Sequence, residues 1–356
     1  MATFNESLVD ASTEYTLDLN RVGNTVARQD ILPLLLRLEE DLIGKLASSG
    51  VAGGAVDKVR SLLAWVKDAI NEVYARMEGI TGETLAGIAE TESLFWKKAI
   101  NGGVGIEILT SLPTVKQLEV LARKVLIAGA VNEEWWNRQA RELRQRFEDQ
   151  LRMGIALGET NDDIIRRVRG RRENGFKDGI MRVSRKDADA LVRTGIQTVS
   201  NKVRTEIFDA NKDIFKGYKQ VSTLDTRTSP ICIAYSGKRW DERFRPIGHK
   251  LPYNGGTPRH WRCRSFIVPI VKSWKELGIN LDEAPMGTRS SMTGQVPADT
   301  TFNDFLKGRT KAEQDEILGK GVATLWRGGK IGLAQLVDSS GTRALTLGEL
   351  RQKLVK

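Results

Sequence analysis

The chain has 356 residues, of which 55 are lysine or arginine and 45 are aspartate or glutamate, so its formal net charge is +10. A chain of this length can bury a core without crosslinks, and two cysteines are too few for a disulfide scaffold. The sequence shows no secretory signal at its start and no apolar run of the roughly 20 residues that a membrane span needs. We expect a soluble protein that is made and assembled in the cytoplasm. The basic excess suits a protein that works near nucleic acid, but it equally suits a solvated basic surface.

The first third of the chain is predicted to be helical after a polar start that is expected to be mobile. One set of apolar residues recurs at helical spacing, namely Ile31, Leu35, Leu38 and Leu42. A second set alternates by three and four, namely Val59, Leu63, Val66, Ile70, Val73 and Met77. The glycine-rich segment 48–54 separates the two sets. The pattern predicts an antiparallel helical hairpin that closes one apolar seam, and an interaction surface for a partner helix is the alternative.

Further helices are predicted over residues 84–100 and 132–153, and from Thr114, Thr160 and Ser184 onwards. The segment 101–105 is expected to break the chain, because it is rich in glycine. Thr114 and Ser184 each stand three residues before a glutamine or an aspartate, as in a capping box. The helix at 132–153 is expected to bury Trp135, Leu143, Phe147 and Leu151. The helix after Ser184 is expected to bury Val192, Ile196, Val199, Val203 and Ile207.

From Phe215 the pattern changes to residues that favour strands. Segments 216–223 and 266–271 are predicted to be strands, with 238–240 as a third. Helices followed by a small sheet indicate an α+β fold.

Five arginines crowd the helix that begins at Thr160 and the segment after it. They are Arg166, Arg167, Arg169, Arg171 and Arg172. Fewer acids offset them than in the preceding helix, where arginines and acids three and four apart largely neutralise one another. This cluster is the chain's best candidate for contact with nucleic-acid phosphates, and a structural surface is the alternative.

Both cysteines and both histidines lie between residues 223 and 270. Asp225, followed by Thr226 and Thr228, is predicted to accept backbone N–H bonds and to fix a tight turn. Arg227 either locks this turn or faces a phosphate, and the sequence leaves both open. No second acid or base stands beside Asp225, which favours a structural role over catalysis.

The thiols and imidazoles allow several arrangements. Cys232, His260 and Cys263 could bind zinc, with His249 or Asp225 as the fourth ligand. A disulfide between the two cysteines is a second option, and two buried thiols are the favoured interpretation. A Cys–His nucleophilic pair would also need an oxyanion hole and an orienting group, which no motif in this stretch indicates.

In their order along the chain, these features resemble the phage Mu F-like (MuF, or head morphogenesis) family. The motif residues are Arg193-Thr194, Asp225-x-Arg227-Thr228, Cys232, Gly237-Lys238 and His260-x-x-Cys263-Arg264. The tail resembles the family's C-terminal extension through Phe302-x-x-Phe305-Leu306, Leu325-Trp326-Arg327 and Leu345-Thr346-Leu347. The resemblance covers roughly residues 148–356. Together with the helical pattern of the first third, it predicts a helical region at 1–130, a MuF-like α+β core at 131–275 and a short helical extension at 276–356.

The chain departs from the family pattern at three positions. Members commonly carry two cysteine pairs, as CxxC and CxC, whereas Ser229 and Ser265 each take one place here. Gly195 follows the Arg-Thr pair where members often have glutamate. The loss of half the thiols weakens any zinc site carried over from the family.

The resemblance implies a minor head protein of a tailed bacteriophage, a virion component in few copies that is not an enzyme. It would act in head morphogenesis with portal and capsid proteins, and contact with packaged DNA is a further expectation. The motif residues are expected to be structural, with no catalytic residue and no cofactor beyond a candidate zinc at the Cys–His residues. The alternatives are a metal-dependent nuclease, which would use Asp225 and His260, and a pure DNA-binding module. Two histidines without clustered carboxylates leave such a nuclease short of ligands and bases.

Overall fold

The computed structural model describes residues 4–105, 107–278, 288–297 and 299–355. Its backbone divides into two compact units. The first unit comprises residues 1–20, 89–118 and 200–356, and the second comprises residues 21–88 and 119–199. The boundaries expected from the sequence, near residues 130 and 275, stay a prediction.

Long helices form most of the first 210 residues. They are α1 (Phe4–Thr25), α2 (Leu32–Ser49), α3 (Val56–Val104), α4 (Val115–Lys124), α5 (Asn132–Ala156), α6 (Asn161–Arg169) and α7 (Ile180–Ala210). A π-helical segment, Val26–Ile31, joins α1 to α2. Short helices follow, namely α8 (Pro230–Tyr235), α9 (Phe302–Lys307), α10 (Lys311–Leu318), α11 (Lys320–Arg327) and α12 (Leu347–Val355). Each described helix is too short or too polar to cross a lipid bilayer.

The expectation of a mobile start is wrong from Phe4 onwards. Phe4 and Leu8 are buried in α1, and the Phe4 ring lies 4.9 Å from the Trp274 ring, centroid to centroid. The Asn5 side chain bonds both backbone groups of Val271. The start of α1 is therefore held by the Val271 backbone and the Trp274 ring, contacts that its polar sequence does not indicate.

The predicted apolar stripe of α2 is confirmed, but the stripe assigned to α3 is partly wrong. Ile31, Leu35, Leu38 and Leu42 are all buried. Between residues 59 and 77 of α3 the buried residues are Leu62, Val66, Ile70, Tyr74 and Met77, while Val59, Leu63 and Val73 are half-buried. A strict alternation by three and four drifts from the 3.6-residue turn of a straight helix, so the predicted seam mixed two faces.

Two further details of the helices correct the predictions. Trp136, not Trp135, is the buried tryptophan of α5, because its Nε1–H donates to Thr81 Oγ1 at 2.7 Å. Ser184 does not cap α7, which begins four residues earlier, at Ile180. By contrast, Thr114 forms the predicted capping box with Gln117. All five residues of the stripe predicted for α7 are buried.

A four-stranded antiparallel sheet follows α7. It comprises β1 (Phe215–Val221), β2 (Arg239–Trp240), β3 (Pro246–Ile247) and β4 (Phe266–Val271), in the order β3-β2-β1-β4. The three predicted strands are confirmed, and so is the α+β class. The two-residue β3 and the separate hairpin of β5 (Thr288–Ser291) and β6 (Gly294–Pro297) were not predicted, because such short strands show no readable alternation.

A buried ion pair ties this sheet to the helices of the first unit. Glu92 on α3 and Arg204 on α7 have side chains that are 0% and 2% exposed, with Nε and Oε1 2.8 Å apart. Arg204 also donates to the Ile267 carbonyl oxygen at 2.9 Å. The pair therefore holds β4, the strand that follows the Cys–His residues, against α7.

Candidate functional site

Asp225 organises the turn that follows β1. Its carboxylate accepts hydrogen bonds from the Arg227 backbone N–H at 3.0 Å and from the Thr228 hydroxyl at 3.1 Å. The Thr228 hydroxyl also reaches the Thr223 carbonyl oxygen, at 2.6 Å. These are the bonds expected of an aspartate that closes a tight turn, and that prediction is confirmed.

Arg264, rather than Arg227, is the main cationic partner of Asp225. Its two terminal nitrogens bond the two carboxylate oxygens at 2.5 and 2.8 Å, in a bidentate pair. The Arg227 side chain is 80% exposed, and its Nη2 lies 3.9 Å from the carboxylate. Burial alone would raise the pKa of Asp225, but the hydrogen bonds and charge of Arg264, with the Arg227 N–H, outweigh burial and lower it.

Ser229 begins α8 and sets the position of Cys232. Its hydroxyl accepts a hydrogen bond from the Cys232 backbone N–H at 3.3 Å, and Pro230 occupies the first turn, where its missing N–H costs nothing. One helical turn then points the Cys232 side chain inwards, where the residue is 2% exposed.

The second cysteine, Cys263, lies on the segment before β4. The Cys232 and Cys263 sulfurs lie 3.5 Å apart, a non-bonded contact, so both are free thiols. His260 Nε2 lies 3.3 Å from Cys232 Sγ and 2.8 Å from Ser229 Oγ, while Nδ1 lies 2.9 Å from the Trp261 carbonyl oxygen. These residues with Asp225, Thr228 and Arg264 form what we call the turn cluster.

Electrostatic interactions within the turn cluster shift the pKa values of the two thiols in opposite directions. The hydrogen bond between them raises the pKa of Cys232, aided by burial, and lowers the pKa of Cys263, where His260 adds to the effect. Burial alone would lower the pKa of His260, but the hydrogen bond and charge of Cys263 raise it. Because Cys263 is only 1% exposed, its sulfur is not placed to reach a substrate.

The turn cluster supplies three candidate metal donors. The donor atoms of Cys232, His260 and Cys263 all lie within 4.8 Å of one another. Neither fourth ligand suggested by the sequence joins them. Both nitrogens of His249 are engaged by backbone groups, and the Asp225 carboxylate is held by Arg264. A structural zinc site needs four donors, so the residues that the structure describes do not complete one.

Serine hydroxyls stand where the family pattern has its other two thiols. Ser229 bonds His260, and the Ser265 hydroxyl donates to Ser222 Oγ at 3.1 Å beside Cys232. We therefore expect substoichiometric zinc in the purified chain and one zinc per chain in the double variant Ser229→Cys/Ser265→Cys, measured by elemental mass spectrometry.

The matched control for this metal experiment is Ser48→Cys/Ser340→Cys, which adds two thiols at exposed positions. It should bind no more zinc than the unaltered chain. One tightly held zinc per unaltered chain would contradict the three-donor assignment.

The remaining motif residues have structural contacts. Arg193 on α7 bonds Asp189 at 2.8 Å, and Thr194 donates to the Ala190 carbonyl oxygen at 2.7 Å. Gly237 donates its N–H to the Gln220 carbonyl oxygen in the turn before β2. A Cβ atom at Gly195 would lie 3.2 Å from the Ile127 side chain, so a larger residue here would require that side chain to shift.

Sequence reasoning missed Arg259, which stands beside the turn cluster. Its guanidinium lies 3.5 Å from the centroid of the Tyr235 ring and donates to Gln220 Oε1 at 2.6 Å and to the Tyr253 carbonyl oxygen at 3.1 Å. Burial lowers its pKa. The sequence gives no signal for this role, because an arginine before a histidine resembles any surface arginine.

The structure brings the five predicted arginines together in the second unit. They line a cleft of about 820 Å³ between α6 and the start of α7, which we call the arginine cleft. Arg166 pairs with Asp163 at 2.5 Å, and Arg167 forms a two-pronged pair with Glu159 at 2.5 and 2.7 Å. Within the described chain, no ion pair engages the other three, Arg169, Arg171 and Arg172.

Comparison with known families identifies the central part of the chain. Residues 145–268 match the family described as Phage Mu protein F like protein, a range that includes the arginine cleft and the turn cluster. Comparisons with curated proteins and with solved structures gave no match. The match ends before the C-terminal helices, so their resemblance to the family's extension stays a prediction. The predicted resemblance is therefore confirmed over residues 145–268, which match the phage Mu protein F like family, a family of structural phage proteins.

Proposed function

We propose that the chain is a minor head protein of a tailed bacteriophage. It would be present in few copies per virion and act in head morphogenesis at or near the portal, with portal and capsid proteins as partners. The observation that carries the proposal is the family match over residues 145–268. If the proposal holds, intact particles contain the chain at low stoichiometry.

The state of the turn cluster supports a structural role rather than a catalytic one. The Asp225 carboxylate is occupied by Arg264, Thr228 and a backbone N–H, so it has little capacity to act as a base. Both thiols are almost fully buried. In the described ranges the only metal-ligand cluster is the three-donor set, and it contains no carboxylate. A metal-dependent nuclease would need more ligands than this.

The arginine cleft supports contact with packaged DNA. Arg169, Arg171 and Arg172 are exposed. Four acids also line the cleft: Asp163 and Glu159 are paired with Arg166 and Arg167, Asp178 accepts from the Arg171 backbone N–H and Asn174 Nδ2, and Glu173 is exposed. Guanidinium groups without an acidic partner can bind phosphate oxygens and release counterions from DNA.

Neutralising these three arginines tests the proposed DNA contact. In Arg169→Gln/Arg171→Gln/Arg172→Gln, the magnitude of the slope of log affinity against log salt concentration should fall for each phosphate that the variant no longer neutralises, by about 0.7 for a single strand and about 0.9 for a duplex. Fluorescence anisotropy with labelled single-stranded and duplex DNA over a salt series measures this slope.

The control variant removes the same number of charges elsewhere. Lys116, Arg123 and Lys124 are exposed on α4, and changing all three to glutamine should leave the slope unchanged. An unchanged slope with both forms of DNA in the cleft variant, or an equal loss in the α4 control, would refute direct contact through the cleft.

A further inference from the structure

The loop at residues 170–179, between α6 and α7, presents an aromatic ring beside the unpaired arginines. Phe176 is 41% exposed and its side chain lines the arginine cleft. Its φ is 59° and that of Gly175 is 57°, so two consecutive residues adopt the left-handed conformation. Left-handed backbone is unfavourable for a bulky residue, and Phe176 adopts it while much of its surface stays exposed to solvent.

The loop is held in shape by its own hydrogen bonds. Asp178 accepts from the Arg171 backbone N–H and from Asn174 Nδ2, both at 2.8 Å. The Phe176 N–H reaches the Arg171 carbonyl oxygen at 2.9 Å. At the base of the loop, a Cβ atom on Gly179 would overlap the backbone of Arg169. The loop backbone that carries Arg171 and Phe176 is therefore held in one conformation, which reduces the entropy lost on binding.

The size of the cleft limits what can enter it. A volume of about 820 Å³ falls in the range of pockets that hold a small molecule, so it admits about one or two nucleotides but not a duplex. In a duplex the base faces are covered by their neighbours. An exposed aromatic ring stacks on bases that are already unstacked, as in single strands.

We propose that the arginine cleft binds a single-stranded stretch of DNA, with a base stacked on Phe176 and the adjoining phosphates against Arg169, Arg171 and Arg172. This inference rests on the proposed DNA contact and specifies the form of DNA that is bound. An acidic protein segment would pair with the arginines but would gain nothing specific from the ring, so the combination favours nucleic acid.

The experiment compares labelled oligothymidylate with a duplex of equal length, using the full chain and fluorescence anisotropy. The unaltered chain should bind the single strand more tightly. Phe176→Ala should weaken single-strand binding roughly 5- to 150-fold, the range for loss of stacking on one base, while the salt slope stays the same. Phe176→Trp should retain binding. Leu126→Ala, at another exposed apolar position of the second unit, is the matched control and should have no effect.

The outcomes separate this inference from the proposed function. Equal single-strand and duplex binding, with Phe176→Ala neutral and the arginine variant weakened, would overturn the single-strand inference and leave DNA contact standing. Failure to bind either DNA would overturn both. Displacement of the oligonucleotide by polyglutamate of equal charge, as effectively as by unlabelled oligothymidylate, would show a general anion surface and would also overturn the inference. Because Phe176 is exposed, loss of folding is not expected, and circular dichroism of each variant verifies this.

Discussion

Replacing Glu92 by glutamine should lower the free energy of unfolding by about 3–5 kcal/mol. The Glu92 carboxylate is fully buried and accepts hydrogen bonds from Arg204 Nε, Ser200 Oγ and Trp96 Nε1, at 2.8, 2.6 and 2.6 Å. Glutamine keeps the shape of the side chain but leaves the buried Arg204 cation without a counter-charge. An uncompensated charge in a low-dielectric interior is among the most destabilising changes in a protein.

Urea unfolding of three variants isolates the effect of the missing charge. Glu148→Gln breaks an exposed ion pair with Arg152 and should cost about 1 kcal/mol or less. The double variant Glu92→Leu/Arg204→Met removes both buried charges and should recover much of the loss. If Glu92→Gln costs no more than Glu148→Gln, the pair does not hold α3, α7 and β4 together as we infer.

The second large effect is expected at the turn cluster, where Asp225→Asn should cost about 2–3 kcal/mol at neutral pH. The substitution removes a carboxylate that accepts two hydrogen bonds from Arg264, and hydrogen bonds to charged groups contribute about 1.5–3 kcal/mol each, less where solvent has access. Arg264 keeps its charge in a half-buried position with a weaker partner. Urea unfolding measures the loss, and a change within error would show that the pair does not stabilise the turn.

The same pair predicts how stability depends on pH. The pKa of Asp225 is lowered in the folded chain, so its contribution is fully present above the pKa of an unfolded aspartate, about 4, and is lost as pH falls through the folded value. The unaltered protein should therefore lose stability more steeply below about pH 4 than Asp225→Asn does. The control variant Asp162→Asn removes an exposed carboxylate of α6. Its stability should fall below about pH 4 as steeply as that of the unaltered protein. Parallel curves for Asp225→Asn and the unaltered protein would contradict this account.

Local patterns were sufficient to predict features that depend on a few neighbouring residues. The stripe from Val192 to Ile207 repeats at helical spacing, and all its members are buried. Thr160 caps α6 through Asp163, three residues later. The Asp225 turn uses bonds to residues 227 and 228, so its geometry follows from the local sequence.

Features that depend on distant residues were not predictable. Arg227 is two positions from Asp225, yet the turn directs its side chain into solvent, and Arg264, 39 positions away, takes the carboxylate. Glu92 and Arg204 are 112 positions apart, and each reads as an ordinary surface charge on a helix. Only the packing of α3 against α7 shows that these two charges are buried together.

The helical phase of adjacent large residues was also ambiguous. Trp135 and Trp136 have the same propensity, and the sequence cannot tell which one faces Thr81. Likewise, the five arginines were recognised as a cluster, but the sequence did not show that Arg166 and Arg167 are paired and the other three are not.

Quantitative mass spectrometry of intact, nuclease-treated virions tests the central claim most directly. We predict that this chain is present in finished particles, at a small fraction of the copies of the major capsid protein and at a level comparable with the portal. Its absence from purified particles, or a copy number equal to that of the capsid shell, would contradict the assignment as a minor head protein.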